Sequence, residues 1–146
     1  MKKKRKKSEK QRLKEKAWKL CSEYIRRKYA DFNGFVKCCT CPTTKHWKEM
    51  QAGHYVDGHN NTVMFDEMLT HPQCIKCNLK LPGCLAGNKI QYTIFMMKKY
   101  DLTIEQIEEI ENRKFKTVDC DEQYYKDLIN IYKHALEEMP SHDRHS

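Results

Sequence analysis

Two cysteine pairs, Cys38-x2-Cys41 and Cys74-x2-Cys77, stand 32 residues apart in a chain of 146, and this spacing limits the possible folds more than any other feature. A C-x2-C turn aims two thiolates at one point, and two such turns surround a single zinc ion tetrahedrally at about 2.3 Å. The ion ties distant stretches of chain together, and its binding energy becomes folding energy. That help matters, because 39% hydrophobic residues against 33% charged ones leave a chain of this size a modest core. Cys39 sits next to Cys38 and would give only a Cys39-x-Cys41 spacing, too tight for the usual turn, so it reads as a spare thiol. Cys21, Cys84 and Cys120 have no paired spacing and read as core or surface thiols.

Eight cysteines would also suit a secreted disulfide framework. However, the run Lys2 to Lys7 has no apolar segment behind it, and no stretch is apolar enough to span a membrane. The reading is a reducing cytosol with ligand or free thiols. The net charge of +8 is unevenly spread: residues 1–28 hold 14 Lys/Arg against 3 acids, residues 29–100 hold 8 against 5, and residues 101–146 hold 6 against 12. The basic excess is therefore an N-terminal arm. Its cations are Lys2, Lys3, Lys4, Arg5, Lys6, Lys7, Lys10, Arg12, Lys14 and Lys16, with Arg26 and Arg27 further along. Such an arm neutralises phosphates and releases counterions, giving salt-sensitive affinity for nucleic acid. The same composition also describes a solvated helix face; a metal-site domain behind it favours the nucleic-acid reading.

From Ser8 to Tyr29 the residues Leu13, Ala17, Leu20, Cys21, Tyr24 and Ile25 recur at helical spacing, predicting an amphipathic helix with a basic outer face. Phe32-Asn33-Gly34 breaks it, and Phe35 to Lys37 leads as a short strand into the first cysteine turn. Between the turns the pattern predicts a hairpin of Gln51 to Val56 with Thr62 to Phe65, closed by Asp57 to Asn61. Cys77-Asn78 is expected to open a short helix. Further helices are expected over Ile90 to Tyr100, over Ile104 to Ile110 behind a Thr103 cap, and over Tyr124 to Ala135, ending before Pro140. The organisation is a basic arm and helix (1–30), a metal-bound core (31–100), a helical extension (101–139) and a disordered tail (140–146).

His54 follows small Gly53 at the end of the first hairpin strand, and Asn78 follows a metal thiolate and so has a fixed position. A neutral imidazole can deprotonate water for attack on a phosphodiester, and a divalent ion beside it stabilises the pentacoordinate phosphorus and the leaving 3′ oxygen. A lone histidine can equally be structural.

The segments Cys38-Cys39-Thr40-Cys41, Gln51-Ala52-Gly53-His54-Tyr55, His71-Pro72-Gln73-Cys74-Ile75-Lys76-Cys77-Asn78, and Gly87-Asn88 with Tyr92 resemble the lambdoid phage NinG (Rap) proteins. These are recombination endonucleases of the HNH, or ββα-metal, superfamily. The resemblance covers most of residues 17–100. It is also similar in layout to the phage junction resolvase endonuclease VII. It implies an α+β fold: a zinc-stabilised ββα-metal core flanked by an N-terminal basic helix and C-terminal helices. By the same resemblance His54 is the general base, Cys38, Cys41, Cys74 and Cys77 bind structural Zn2+, and Asn78 binds a catalytic Mg2+ or Mn2+. It further implies cleavage of branched DNA such as Holliday junctions and D-loops, a homodimer, contact with host recombination proteins, and a place in the cytoplasm of a bacterial host. Tyr124 to Ala135 is the candidate dimer contact.

Two departures bear on activity. Gly53 stands where many HNH sites carry a metal-binding Asp, Glu or His, which leaves Asp57, His59 and His71 as candidates for the second ligand. Leu69 stands where a middle asparagine usually stiffens the loop over the base, a role open to Asn60 or Asn61. The alternative function is a zinc-stabilised DNA-binding recombination accessory without catalysis.

Overall fold

The computed structural model describes residues 4–57 and 60–141. Lys2, Lys3, His59 and most of the expected tail lie outside them. Helix α1 (Glu9–Lys28) starts where Ser8 and Gln11 form a reciprocal capping box, which satisfies two of the amides that a helix start leaves open. Its buried stripe, Ala17, Cys21 and Ile25, repeats every four residues. That stripe packs on Tyr125, Ile129 and Tyr132 of α5 (Glu122–Glu138), with Ala52 alongside. At about 1.5–3 kcal/mol for each large side chain buried, this contact makes the N-terminal helix part of the core. It covers Tyr125, Ile129 and Tyr132 within the chain, so that part of the segment Tyr124 to Ala135 is an intramolecular contact, while Ile131 stays exposed.

Two small sheets carry the centre. Strands β1 (Phe35–Lys37) and β2 (Thr44–His46) pair antiparallel around the first cysteine turn. Strands β3 (Gln51–His54) and β4 (Thr70–Gln73) pair antiparallel, with Gly53 opposite His71 and His54 opposite Thr70. This corrects the expected hairpin: Thr62 to Phe65 form turns, not the partner of β3. Asn60 causes the difference, because its Oδ1 accepts from the Thr62 amide at 3.1 Å and its carbonyl accepts from Met64 at 3.0 Å, an arrangement that competes with extended backbone.

Helix α2 (Ile75–Asn78) is a single turn that Asn78 closes rather than opens. Then follow α3 (Lys89–Tyr100) and α4 (Ile104–Asn112), the latter behind the Thr103 cap that the sequence predicts. Tyr92 and Met96 of α3 bury against Tyr55, Val56, Val63 and Leu69. Leu69 is therefore a core side chain.

His71 lies in that interior, fully buried, among Tyr29, Tyr92, Phe95 and Tyr100. Tyr92 donates to the Gly53 carbonyl at 2.7 Å, so its oxygen accepts from His71 Nδ1 at 3.1 Å, and His71 Nε2 accepts from Tyr100 at 2.7 Å. The relay holds the backbone just before His54. Burial, with Lys99 and Lys28 nearby, lowers the His71 pKa to about 3. The unfolded chain takes up this proton below about pH 6.5, and the folded one only near pH 3. Stability from this group is thus complete above about pH 6.5 and falls with pH below it, at about 1.4 kcal/mol per pH unit. Urea unfolding at pH 6, 5 and 4 is expected to show the gap between wild type and His71→Phe narrowing at close to that rate; a constant gap would contradict a buried neutral imidazole.

Candidate metal centre and catalytic cleft

The sulfurs of Cys38, Cys41, Cys74 and Cys77 all lie within 4.8 Å of one another, and Cys41 Sγ is 3.7 Å from Cys74 Sγ. Tetrahedral bonds of about 2.3 Å require sulfurs roughly 3.8 Å apart, so the quartet is arranged to hold a metal ion such as zinc. The local folding explains why. Cys38 N donates to Thr43 O at 2.8 Å, closing the first turn, and Cys39 N donates to Pro72 O at 2.9 Å, tying that turn to β4. Burial pushes the Cys77 thiol up to about 12 and also raises Cys74. Burial acts the same way on Cys41, but hydrogen bonds with Thr43, Cys38 and Cys74 outweigh it and bring that thiol down to about 6. Asn88 donates to Thr40 O at 3.2 Å and approaches Cys77 Sγ at 3.6 Å from a left-handed backbone. Cys39 is outside the quartet, and burial raises its pKa.

Next to this centre is a cleft of about 290 Å³ lined by Trp18, Ala52, His54, Val56, Asp57, Met64, Asn78, Lys80, Ala86 and Gly87. The cleft brings together three of the sequence candidates: His54, Asn78 and Asp57. The Trp18 ring stacks on the His54 ring, centroids 4.4 Å apart at 26°. His54 Nε2 lies 2.9 Å from Met64 O. A carbonyl only accepts, so Nε2 carries the proton and the lone pair of the neutral ring is on Nδ1. Asp57 is exposed at the rim, 3.3 Å from Lys80 Nζ. His71, fully buried elsewhere, does not line the cleft, so it is no candidate ligand there.

The chain that supplies the Met64 carbonyl is clamped from the C-terminal extension. Arg113 donates to Asp66 Oδ2 at 2.7 Å and to the Thr62 carbonyl. Asn60 and Asn61 donate to the carbonyls of Lys114 and Val118 at 3.2 and 3.0 Å, and Tyr125 donates to Asn61 Oδ1 at 2.9 Å. Asn60 and Asn61 therefore stiffen this loop by holding the extension.

Residues 1–141 match the family described as Bacteriophage Lambda NinG protein. The chain belongs to the NinG family. No curated protein and no solved structure matches it.

In this NinG protein the alternation of β3 places His54 beside Trp18 and turns Gly53 toward Gln73 and Asn78. A Cβ at Gly53 would overlap Gln73 Oε1 and stand 3.0 Å from Asn78 Oδ1. Asn78 Nδ2 donates to Gln51 Oε1 at 2.6 Å, which fixes the amide with its oxygen toward Gly53. Of the basic arm, Lys4, Arg5, Lys6 and Lys16 are exposed. Lys7, Lys10 and Arg12 meet Glu15, Asp119 and Glu9 at 2.7, 2.6 and 4.0 Å, surface pairs that hold little energy. Arg26 and Arg27 point inward over the Trp47 ring and donate to the carbonyls of Trp47 and Pro140, so they serve packing. Sequence reasoning missed Trp18, Met64, Arg113 and Gln73. Trp18 had a signal, since it borders the apolar stripe of α1.

Elemental analysis of the purified protein is expected to give one zinc per chain, retained in Cys39→Ser and lost in Cys38→Ser. Chelation should lower the melting temperature by at least about 10 °C, because the ion's binding energy is folding energy. Arg113→Ala should leave the zinc in place but slow any chemistry that depends on His54 by about tenfold or more, the order of effect expected from misplacing a reacting group.

Proposed function

We propose that this NinG protein is a metal-dependent DNA endonuclease that uses His54 as general base. One observation carries the reading: the Nε2–H···O=C bond to Met64 puts the lone pair of His54 on Nδ1, in the cleft that also holds Asn78. Nδ1 takes a proton from water as the water oxygen bonds to phosphorus. The bond from phosphorus to the 3′ oxygen breaks, and that oxygen recovers a proton from solvent, leaving a 5′ phosphate. Trp18 restricts rotation of the imidazole, and the Arg113 clamp holds the carbonyl that sets its tautomer.

An amide oxygen on Asn78 and the carboxylate of Asp57 are hard donors, and such donors fit Mg2+ or Mn2+. A divalent ion bound there supplies charge stabilisation for the phosphorane and the leaving oxygen. The cysteine quartet holds zinc as structure only, since four thiolates leave it no open position. The order β3, β4 and a following helix supports an HNH-type core. The exposed cations Lys4, Arg5, Lys6 and Lys16 lie on the arm and first helix, which suits backbone contacts to a duplex. The family resemblance supports branched recombination DNA as substrate and a bacterial host's cytoplasm as the setting.

Cleavage of labelled four-way junction, D-loop and linear duplex DNA by zinc-loaded protein tests the reading. Wild type is expected to nick branched substrates only when Mg2+ or Mn2+ is added, with His54→Ala slower by at least about 10²-fold, in the range for loss of a general base. Binding without cutting in either ion would favour the non-catalytic accessory.

A further inference from the structure

Gln73 is fully buried in β4, and its two ends are treated differently. Its Nε2 donates to Thr40 Oγ1 at 3.0 Å and to the Gly87 carbonyl at 2.9 Å. The Gly87 oxygen can only accept, so the amide cannot turn over without losing that bond. Oε1 must therefore face the other way, over Gly53, where no hydrogen-bond donor meets it. A buried acceptor left unmatched is destabilising. Such an atom invites a partner from outside the polypeptide, an ion or a water.

The neighbour across this gap is Asn78 Oδ1. Its amide is also oriented, because Nδ2 donates to Gln51 Oε1. Two amide oxygens, each turned by its own nitrogen's hydrogen bonds, thus converge on the point that a side chain at position 53 would fill. Two acceptors facing each other repel unless a cation or a donor hydrogen lies between them, and none from the polypeptide meets Gln73 Oε1. Neutral oxygens of this kind are hard ligands suited to Mg2+ or Mn2+.

We propose that Gln73 Oε1 is a further protein ligand of the divalent ion assigned above to Asn78 and Asp57, delivered from β4 into the space that glycine leaves on β3. The inference rests on that assignment and completes it. Gly53 is then a requirement of the site, because a Cβ there would overlap the Gln73 oxygen.

The test uses full-length, zinc-loaded, 15N-labelled protein, with Mg2+ and Mn2+ alone as probes. In wild type, Mg2+ is expected to shift the side-chain amide signals of Gln73 and Asn78 along one binding curve. By electron paramagnetic resonance, Gln73→Met with its zinc intact is expected to bind Mn2+ at least tenfold more weakly than wild type, and Gln73→Glu more tightly. If Gln73→Met keeps wild-type Mn2+ affinity while Asn78→Ala loses it, the Gln73 assignment falls and the Asn78 site stands. If no second ion binds to wild type and neither amide signal moves, both fall. Should the Gln73 variants fail to hold zinc, the wild-type titration decides: an unmoved Gln73 amide beside a shifting Asn78 amide overturns the proposal.

Discussion

Four thiols drawn within 4.8 Å of one another are the contact on which the other elements depend. Cys38 and Cys41 close the loop between β1 and β2, whereas Cys74 and Cys77 sit at the end of β4 and in α2. Joining them fixes β4 against the first hairpin, and β4 in turn sets the register of β3. That register places His54 at Thr70 and Gly53 at His71. Without the quartet, a two-stranded sheet of four-residue strands would have too little buried area to hold that alignment.

Around this junction the cleft is assembled from parts that are remote in sequence. One wall is Trp18 from α1, the carbonyl that orients the histidine comes from Met64, and the brace behind Met64 is Arg113, 47 residues beyond its partner Asp66. Polar groups outside the cleft support the same few atoms. The Tyr100, His71 and Tyr92 relay ends on the Gly53 carbonyl, so the interior of α3 determines where the backbone before His54 rests. The helical extension thus takes part in shaping the site.

Much of this was legible in the sequence. The paired cysteines are a metric pattern, and the helices announce themselves by period and caps: Thr103 caps α4 as its spacing predicts, and α1 carries its stripe at Ala17, Cys21 and Ile25. Family membership, too, was carried by short segments around the cysteines and His54. The partner of β3 was not legible. Thr62 to Phe65 have residue types that suit a strand, but the Asn60 turn bonds fold them back and β4, further along, pairs with β3 instead. His71 misled for a similar reason: histidine is a common ligand, and only the enclosing tyrosines show it to be a neutral link in the interior. Arg26 and Arg27 belong to a basic run by composition, yet the Trp47 ring beneath them turns both inward. Gln73 left one faint trace, an amide set between Pro72 and a cysteine in an otherwise buried strand.

The stacking of Trp18 on His54 has a metric consequence for any duplex seated in the cleft. At 1.5 Å per residue, the ten positions from Ser8 to Trp18 place the start of α1 about 15 Å from the imidazole. Along B-form DNA that is about four to five base pairs, at 3.4 Å each. If the proposed function holds, phosphates near the start of α1 and near His54 would lie within about half a turn of one duplex. On the proposed function, α1 would act as a ruler between arm and cleft, and lengthening or shortening it by one turn would move the arm by about 5.4 Å relative to His54.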